Sequence, residues 1–235
     1  MEKVLLKAEN LSKIYNMGEV TVEALRDASF CIYEGEFVVI LGPSGSGKST
    51  LLNIVGGMDT PTLGKVSFKG REINGMNDNE LTRYRRENIG FIFQFYNLLP
   101  NLTARENVEL VTDISSNPLD VMDVLDKVGL RDRADHFPSQ MSGGEQQRIA
   151  VARAVAKNPE MLLCDEPTGA LDNATGRVVL RVLRDICRDM GKTVVVITHN
   201  SAIADMADRV VYLSNGRIAD IKKIDNPIDP ERIEW

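Results

Sequence analysis

The sequence predicts an α/β fold built around a parallel sheet, and three short apolar runs carry that prediction. Phe37-Val-Val-Ile-Leu41 runs into GPSGSGKST, Met161-Leu-Leu-Cys164 into Asp165-Glu166, and Thr193-Val-Val-Val-Ile197 into Thr198-His199. Continuous β-branched runs of this length suit strands buried on both faces. Ligands of open α/β sheets sit beyond the carboxyl ends of such strands. The three polar elements should therefore converge on one sheet edge.

The other elements follow in chain order. Residues 3–8, 28–33 and 66–69 read as strands of a small antiparallel layer. A helix begins near Lys48 and ends at Gly56-Gly57. Between 97 and 158 the pattern turns helical. Thr103-Ala-Arg-Glu106 is a capping box ahead of an apolar run. Asn117-Pro118 reads as an N-cap with proline at N1, and Gly129 closes that helix. Ser142 opens a helix that stops at Asn158-Pro159. Asn215-Gly216 between two apolar runs is a hairpin signal. The expected organisation is one domain over 1–235: a core of 1–96 and 159–221, a helical insertion at 97–158, and a tail at 222–235.

With 235 residues, 43% hydrophobic, the chain has ample material for a core. A net charge of −6 argues against wrapping nucleic acid, where a basic stripe is expected. The basic cluster Arg83, Tyr84, Arg85 and Arg86 fits a solvated helix face, with lipid headgroups or a partner as the sharper reading. Cys31, Cys164 and Cys187 are widely spaced and read as reduced thiols. The N-terminus MEKVLLKAEN has no signal-peptide pattern, and no run approaches the roughly 20 apolar residues of a membrane span. If this protein works at a membrane, something else spans it. Trp235, the single tryptophan, is given no role.

Gly42-Pro-Ser-Gly-Ser-Gly47-Lys48-Ser49 fits G-x-x-x-x-G-K-[ST] without deviation. Its glycines let backbone N–H groups curl around phosphates, Lys48 neutralises phosphate oxygens, and Ser49 can hold Mg²⁺. Asp165, after four apolar residues, is a second candidate metal ligand. Neighbours on an extended strand point to different sides, so Glu166 is free to face an attacking water as general base. His199 fits either a γ-phosphate donor or a satisfied structural histidine. His136 reads as structural or exposed. Gln94 could touch the metal or the water. MSGGEQQR, Met141 to Arg148, looks like a second anion site at a helix start, although the first is already complete.

GPSGSGKST, Gln94, MSGGEQQR, MLLCDEPTGALD and Thr198-His199 occur in the order that resembles the ABC ATPases. The resemblance implies a P-loop NTPase with a RecA-like core, an antiparallel β subdomain and an inserted helical subdomain. It implies ATP and Mg²⁺ as cofactors and a homodimer. It implies ATP hydrolysis that serves an integral-membrane permease docking near residues 96–100, with the chain at the cytoplasmic face of the membrane. The implied nucleotide contacts are Tyr15, stacked on adenine, with Gly42, Pro43, Ser44, Gly45, Ser46, Gly47, Lys48, Ser49 and Thr50. Ser49, Gln94 and Asp165 would hold the metal; Glu166, His199, Gln94 and Lys48 would serve catalysis. Ser142, Gly143, Gly144 and Glu145 would face the neighbour's ATP, and Asp172 would sit in the loop that communicates between subunits.

FYNLLPNLTARENVEL and SGGEQQRIAVARA resemble the branch serving lipoprotein release, macrolide export, antimicrobial-peptide resistance and cell division. A soluble ABC ATPase of a cofactor-assembly or other non-transport complex is the alternative. Here Met141 and Glu145 stand where the family signature has leucine and glutamine. Glu145 closes a second S-x-x-E capping box, so it is expected to fold onto the Ser142 N–H and brace the turn.

Overall fold

The computed structural model describes residues 2–18 and 20–234, without the side chain of Met17; Trp235 lies outside the described residues. Two sheets organise the chain. The larger, ordered β10-β9-β3-β8-β7-β6, comprises β3 (Phe37–Leu41), β6 (Ile89–Ile92), β7 (Met161–Asp165), β8 (Thr193–Thr198), β9 (Arg209–Ser214) and β10 (Arg217–Lys223). All neighbours are parallel except the β9–β10 hairpin. Asn215 and Gly216 have φ of 49° and 76°, the paired positive values a tight hairpin turn needs. The second sheet, β2-β1-β4-β5, comprises β1 (Val4–Met17), β2 (Val20–Tyr33), β4 (Leu63–Phe68) and β5 (Arg71–Glu72).

Among the described residues six α-helices complete the fold: α1 (Lys48–Val55), α2 (Asp78–Asn88), α3 (Ala104–Thr112), α4 (Val121–Lys127), α5 (Gly143–Ala156) and α6 (Asn173–Met190). Every central strand feeds two cores. Phe37, Val39, Val194 and Val196 face the cluster that includes Val108, Ile149, Val151 and Leu183. Val38, Ile40, Val195 and Ile197 face the cluster of Leu51, Ile54, Leu6 and Val66. This is why these strands read as unbroken apolar runs.

Three expectations need correction. The strands expected at 3–8 and 28–33 are the inner halves of a ribbon of two 14-residue strands. Its tip is largely exposed, with Val20 and Val22 facing solvent, so no apolar run marks it. Asn117-Pro118 does not cap a helix. The Leu119 N–H donates to the Ala156 carbonyl at 2.8 Å, which ties the segment to the end of α5, and Asp120 becomes the N-cap. The basic cluster is not one solvated face. Tyr84 is buried and its Oη donates to the Val55 carbonyl at 2.8 Å, while Arg85 donates to the Gly57 carbonyl at 2.5 Å. Residues 224–233 pack back on the core, with Ile233 buried and Ile224 and Ile228 against it. Arg181 of α6 pairs with Asp229 and Glu231.

Candidate active site

Parallel pairing assembles the site. Leu41 stands beside Thr198, and Asp165 beside Ile197, so the loop 42–49, Asp165-Glu166 and Thr198-His199 share one edge. The Gly42 N–H donates to the Thr198 carbonyl at 3.3 Å. Gly47 has φ 100°, and a Cβ there would strike the Ala24 carbonyl of β2, so glycine is required. Helix α1 starts directly after it with no side-chain cap and no acid in its first turn.

Lys48 is buried and donates through Nζ to the Gly42 carbonyl at 2.7 Å and the Pro43 carbonyl at 2.9 Å. The buried Ser46 Oγ has no hydrogen-bond partner. A buried orphan hydroxyl beside an ammonium and uncapped amides is a donor set that fits phosphate. Ser49 Oγ donates to Asp165 Oδ2 at 3.4 Å, a hydroxyl–carboxylate pair of the hard oxygen type that suits Mg²⁺. Burial raises the Asp165 pKa, the Glu166 charge adds to this, and Ser49 and Lys48 oppose it.

Glu166 adopts φ 46°, a left-handed conformation that costs a non-glycine residue on the order of 1 kcal/mol or more. The turn sends its carboxylate back to β8. Oε2 accepts from Thr198 Oγ1 at 2.9 Å, while Oε1 accepts from the His199 N–H at 3.0 Å and lies 2.8 Å from His199 Nδ1. A neutral ring donating through Nδ1 presents Nε2 as an acceptor. Donation through Nε2 to an anion then needs a second ring proton or the other tautomer. This sharpens the simple donor role that the sequence suggested. Gln94 packs across the next turn: a Cβ on Gly169 would lie 3.0 Å from its Nε2 and 3.4 Å from Glu166 Cβ.

Tyr15 sits on β1, with its hydroxyl donating to Asp59 Oδ2 at 2.8 Å and Lys13 Nζ 4.9 Å from its ring centroid. Burial raises its pKa, Asp59 adds to this, and the Thr50 hydroxyl beside it opposes. The fold thus brings Tyr15 next to the first turn of α1.

The Ser142 end is built differently. Ser142 caps α5, and Glu145 Oε2 accepts from the Ser142 N–H and Oγ, both at 2.8 Å. The bond from the Ser142 N–H holds the Glu145 pKa below the usual carboxylate range, with its hydroxyl next and Arg133 and Arg148 adding. Gly144 is buried where a Cβ would meet the Thr175 methyl of α6, and a Cβ on Gly143 would lie 2.7 Å from Tyr96 Oη. Asp172 caps α6, accepting from the Thr175 N–H at 3.0 Å and Thr175 Oγ1 at 2.7 Å. Thr175 therefore joins the Asp172 loop to the α5 start. Among the described residues, no hydrogen bond or ion pair links 142–145 to 42–49.

Sequence reasoning missed Gln147. It is fully buried on α5, and its Nε2 donates to the Phe93 carbonyl at 3.2 Å and the Pro167 carbonyl at 2.9 Å. The available signal was a glutamine on the apolar stripe of a helix, between Gly144 and Val151. Asp59 was missed too, and its loop carries no pattern that marks it.

Comparison with known proteins places this arrangement. Residues 25–169 match the ABC transporter family. An uncharacterised ABC transporter ATP-binding protein of Thermotoga maritima is 49% identical over 94% of this chain and 96% of its own. A second, MJ0796 of Methanocaldococcus jannaschii, is 45% identical over 94% of this chain and 97% of its own. The dimeric structure of the ATP-binding cassette MJ0796 in a post-hydrolysis state, bound to ADP and Pi, superposes with a TM-score of 0.85. It is 43% identical, covering 94% of this chain and all of the other.

Proposed function

This chain belongs to the ABC transporter family, and on that premise we propose that it is the ATP-hydrolysing subunit of a membrane complex, working as a head-to-tail pair. The observation that carries the chemistry is the carboxylate pair at the end of β7: Asp165 against Ser49, and Glu166 against Thr198 and His199. One carboxylate faces the metal side of the phosphate loop and the other is positioned by β8.

Loop 42–50 binds the phosphates through its amides and Lys48, which exchanges its own loop carbonyls for phosphate oxygens. Ser49, Asp165 and Gln94 hold Mg²⁺, which neutralises phosphoryl charge when bound. Glu166 takes a proton from the attacking water. His199 shares Glu166 Oε1 and, when Nε2 carries a proton, donates it in a hydrogen bond to the γ-phosphate. Tyr15 carries the adenine. The Ser142 end faces the ATP of the second copy, which explains why one chain carries two phosphate-type devices; that MJ0796 is a dimer with ADP and Pi bound supports the pairing. Closure is favoured by contacts made with ATP and lost after hydrolysis.

The membrane subunit docks near residues 96–100, where Leu99 is 45% exposed and Phe95, just before the segment, is 73% exposed. No helix among the described residues is long and apolar enough to cross a membrane, and on this reading the span belongs to the permease. The resemblance in 95–110 and 142–154 supports the lipoprotein-release, macrolide or peptide export branch. The test is Glu166→Gln. Turnover should fall by at least about a hundredfold, the lower range for losing a positioned base, and ATP-Mg²⁺ should hold the variant as a dimer in size-exclusion chromatography. Wild-type turnover in the variant, or a monomer at saturating ATP-Mg²⁺, would overturn the reading.

A further inference from the structure

Glutamine 147 is in an expensive place. It is fully buried, and its Oε1 has no hydrogen-bond partner. An unpaired buried amide oxygen costs stability, so a position meant only for packing would carry leucine or methionine. The other end of the amide does something no apolar side chain can. Nε2 carries two hydrogens, and both go to main-chain carbonyls, one at Phe93 and one at Pro167. Phe93 immediately precedes Gln94, and Pro167 immediately follows Glu166. Gln147 itself lies on the second turn of the helix that Ser142 caps.

We propose that Gln147 is a positioning residue that joins the Ser142 helix to the Gln94 turn and the Glu166 turn, so that one side chain sets three parts of the site in register. The inference rests on the ATPase reading above. Both carbonyl acceptors are main chain, so their directions follow the peptide planes of the two turns. A shift of the α5 start alters the bonds to both. Two neighbouring contacts point the same way. Arg153, further along α5, donates to the Tyr96 carbonyl at 3.0 Å and the Asn97 carbonyl at 2.7 Å, so the segment after Gln94 is also held by this helix. A Cβ on Gly169, two residues past Pro167, would lie 3.0 Å from Gln94 Nε2, so the Glu166 turn and Gln94 are packed closely. Among the described residues Gln147 makes no hydrogen bond to the loop 42–49, and the effect of its loss should therefore fall on turnover and closure, not on first capture of ATP.

The experiment uses the full chain and two variants. Gln147→Met keeps length and removes both donors. Gln147→Asn keeps the amide but, one methylene shorter, reaches one carbonyl at most. Per folded molecule, kcat should fall about tenfold or more in Gln147→Met, with Gln147→Asn between it and wild type. ATP affinity of the monomer, measured in a Glu166→Gln background at low protein concentration, should stay within about twofold, while the ATP-dependent dimer weakens. If Gln147→Met does not fold, Gln147→Asn takes the same test. A kcat per folded chain within twofold of wild type would overturn the proposal, as would a loss of ATP affinity in the monomer as large as the loss of kcat. Wild type and Glu166→Gln serve as controls. If wild type does not hydrolyse ATP, or Glu166→Gln matches it, the ATPase reading fails. If both behave as stated and Gln147→Met matches wild type, only the role of Gln147 fails.

Discussion

The starts of α1 and α5 use the same residue types, serine and glycine before a helix, and end in opposite states. The α1 start has no side-chain cap and no acid, holds Lys48 as its first residue, and leaves Ser46 Oγ unpartnered. The α5 start is satisfied by its own residues: Ser142 and Glu145 cap each other, and the anion at the helix end is already a carboxylate. A helix N-terminus is therefore not an anion site by composition alone. What matters is whether side chains have already taken its donors. At α1 a phosphate meets uncapped amides and an unpartnered hydroxyl, and competes only with loop carbonyls for Lys48. At α5 a phosphate must compete with Glu145 for the Ser142 hydroxyl, which suits a site that forms only on closure.

The sharpest way to break this comparison is to disable each start separately. Lys48→Ala should weaken ATP binding to the monomer about 30- to 100-fold, the value of a lost charge-assisted contact. Ser142→Ala should leave monomer binding within about twofold yet cut turnover about tenfold or more, and lower stability by about 1 kcal/mol through loss of the cap. Calorimetric titration and steady-state kinetics separate the two, and equal losses of monomer affinity would end the distinction.

The second prediction concerns why Gly144 is glycine. Its neighbour is Thr175 on α6, so Gly144→Ala should destabilise the fold by about 1–3 kcal/mol through overpacking. Thr175→Ser removes the offending methyl and keeps the hydroxyl that bonds Asp172. The double variant should recover most of the loss in denaturant unfolding. Additive losses would mean that the α5–α6 contact is not the reason.

The smallest effect tests Glu145. Its folded pKa lies below its unfolded value, so its carboxylate stabilises the fold above the ordinary glutamate range of about 4.3. That contribution is lost as pH falls through the lowered folded value. Glu145→Gln should be slightly less stable than wild type at pH 7, with the gap closing below about pH 4. Its turnover should change by less than tenfold. A larger rise in ATP affinity or turnover would show the carboxylate acting on the nucleotide.

Motifs whose meaning is local were legible. The phosphate loop, the capping boxes at Thr103 and Ser142, the Asn215-Gly216 turn and the doubly buried strands all depend on residues within a few positions of one another. The α4 cap was not, because the choice between Asn117 and Asp120 turns on a hydrogen bond from Leu119 to the end of α5. Nor was the ribbon's outer half, whose pairing continues the hairpin through solvent-facing residues that form no unbroken apolar run. Gln147 hid for the same reason: its partners lie 54 and 20 residues away.

By itself, then, the amino-acid sequence determined the parallel sheet, the phosphate loop, the paired carboxylates and the two capped or uncapped helix starts, since backbone preference and side-chain spacing act over one or two turns. Only the tertiary structure decided that Glu166 turns back to Thr198 and His199, that Thr175 ties the Asp172 loop to Gly144, and that Gln147 joins two distant turns. Those contacts exist because packed elements bring carbonyls and side chains to within hydrogen-bond reach, a distance that no spacing along the chain encodes.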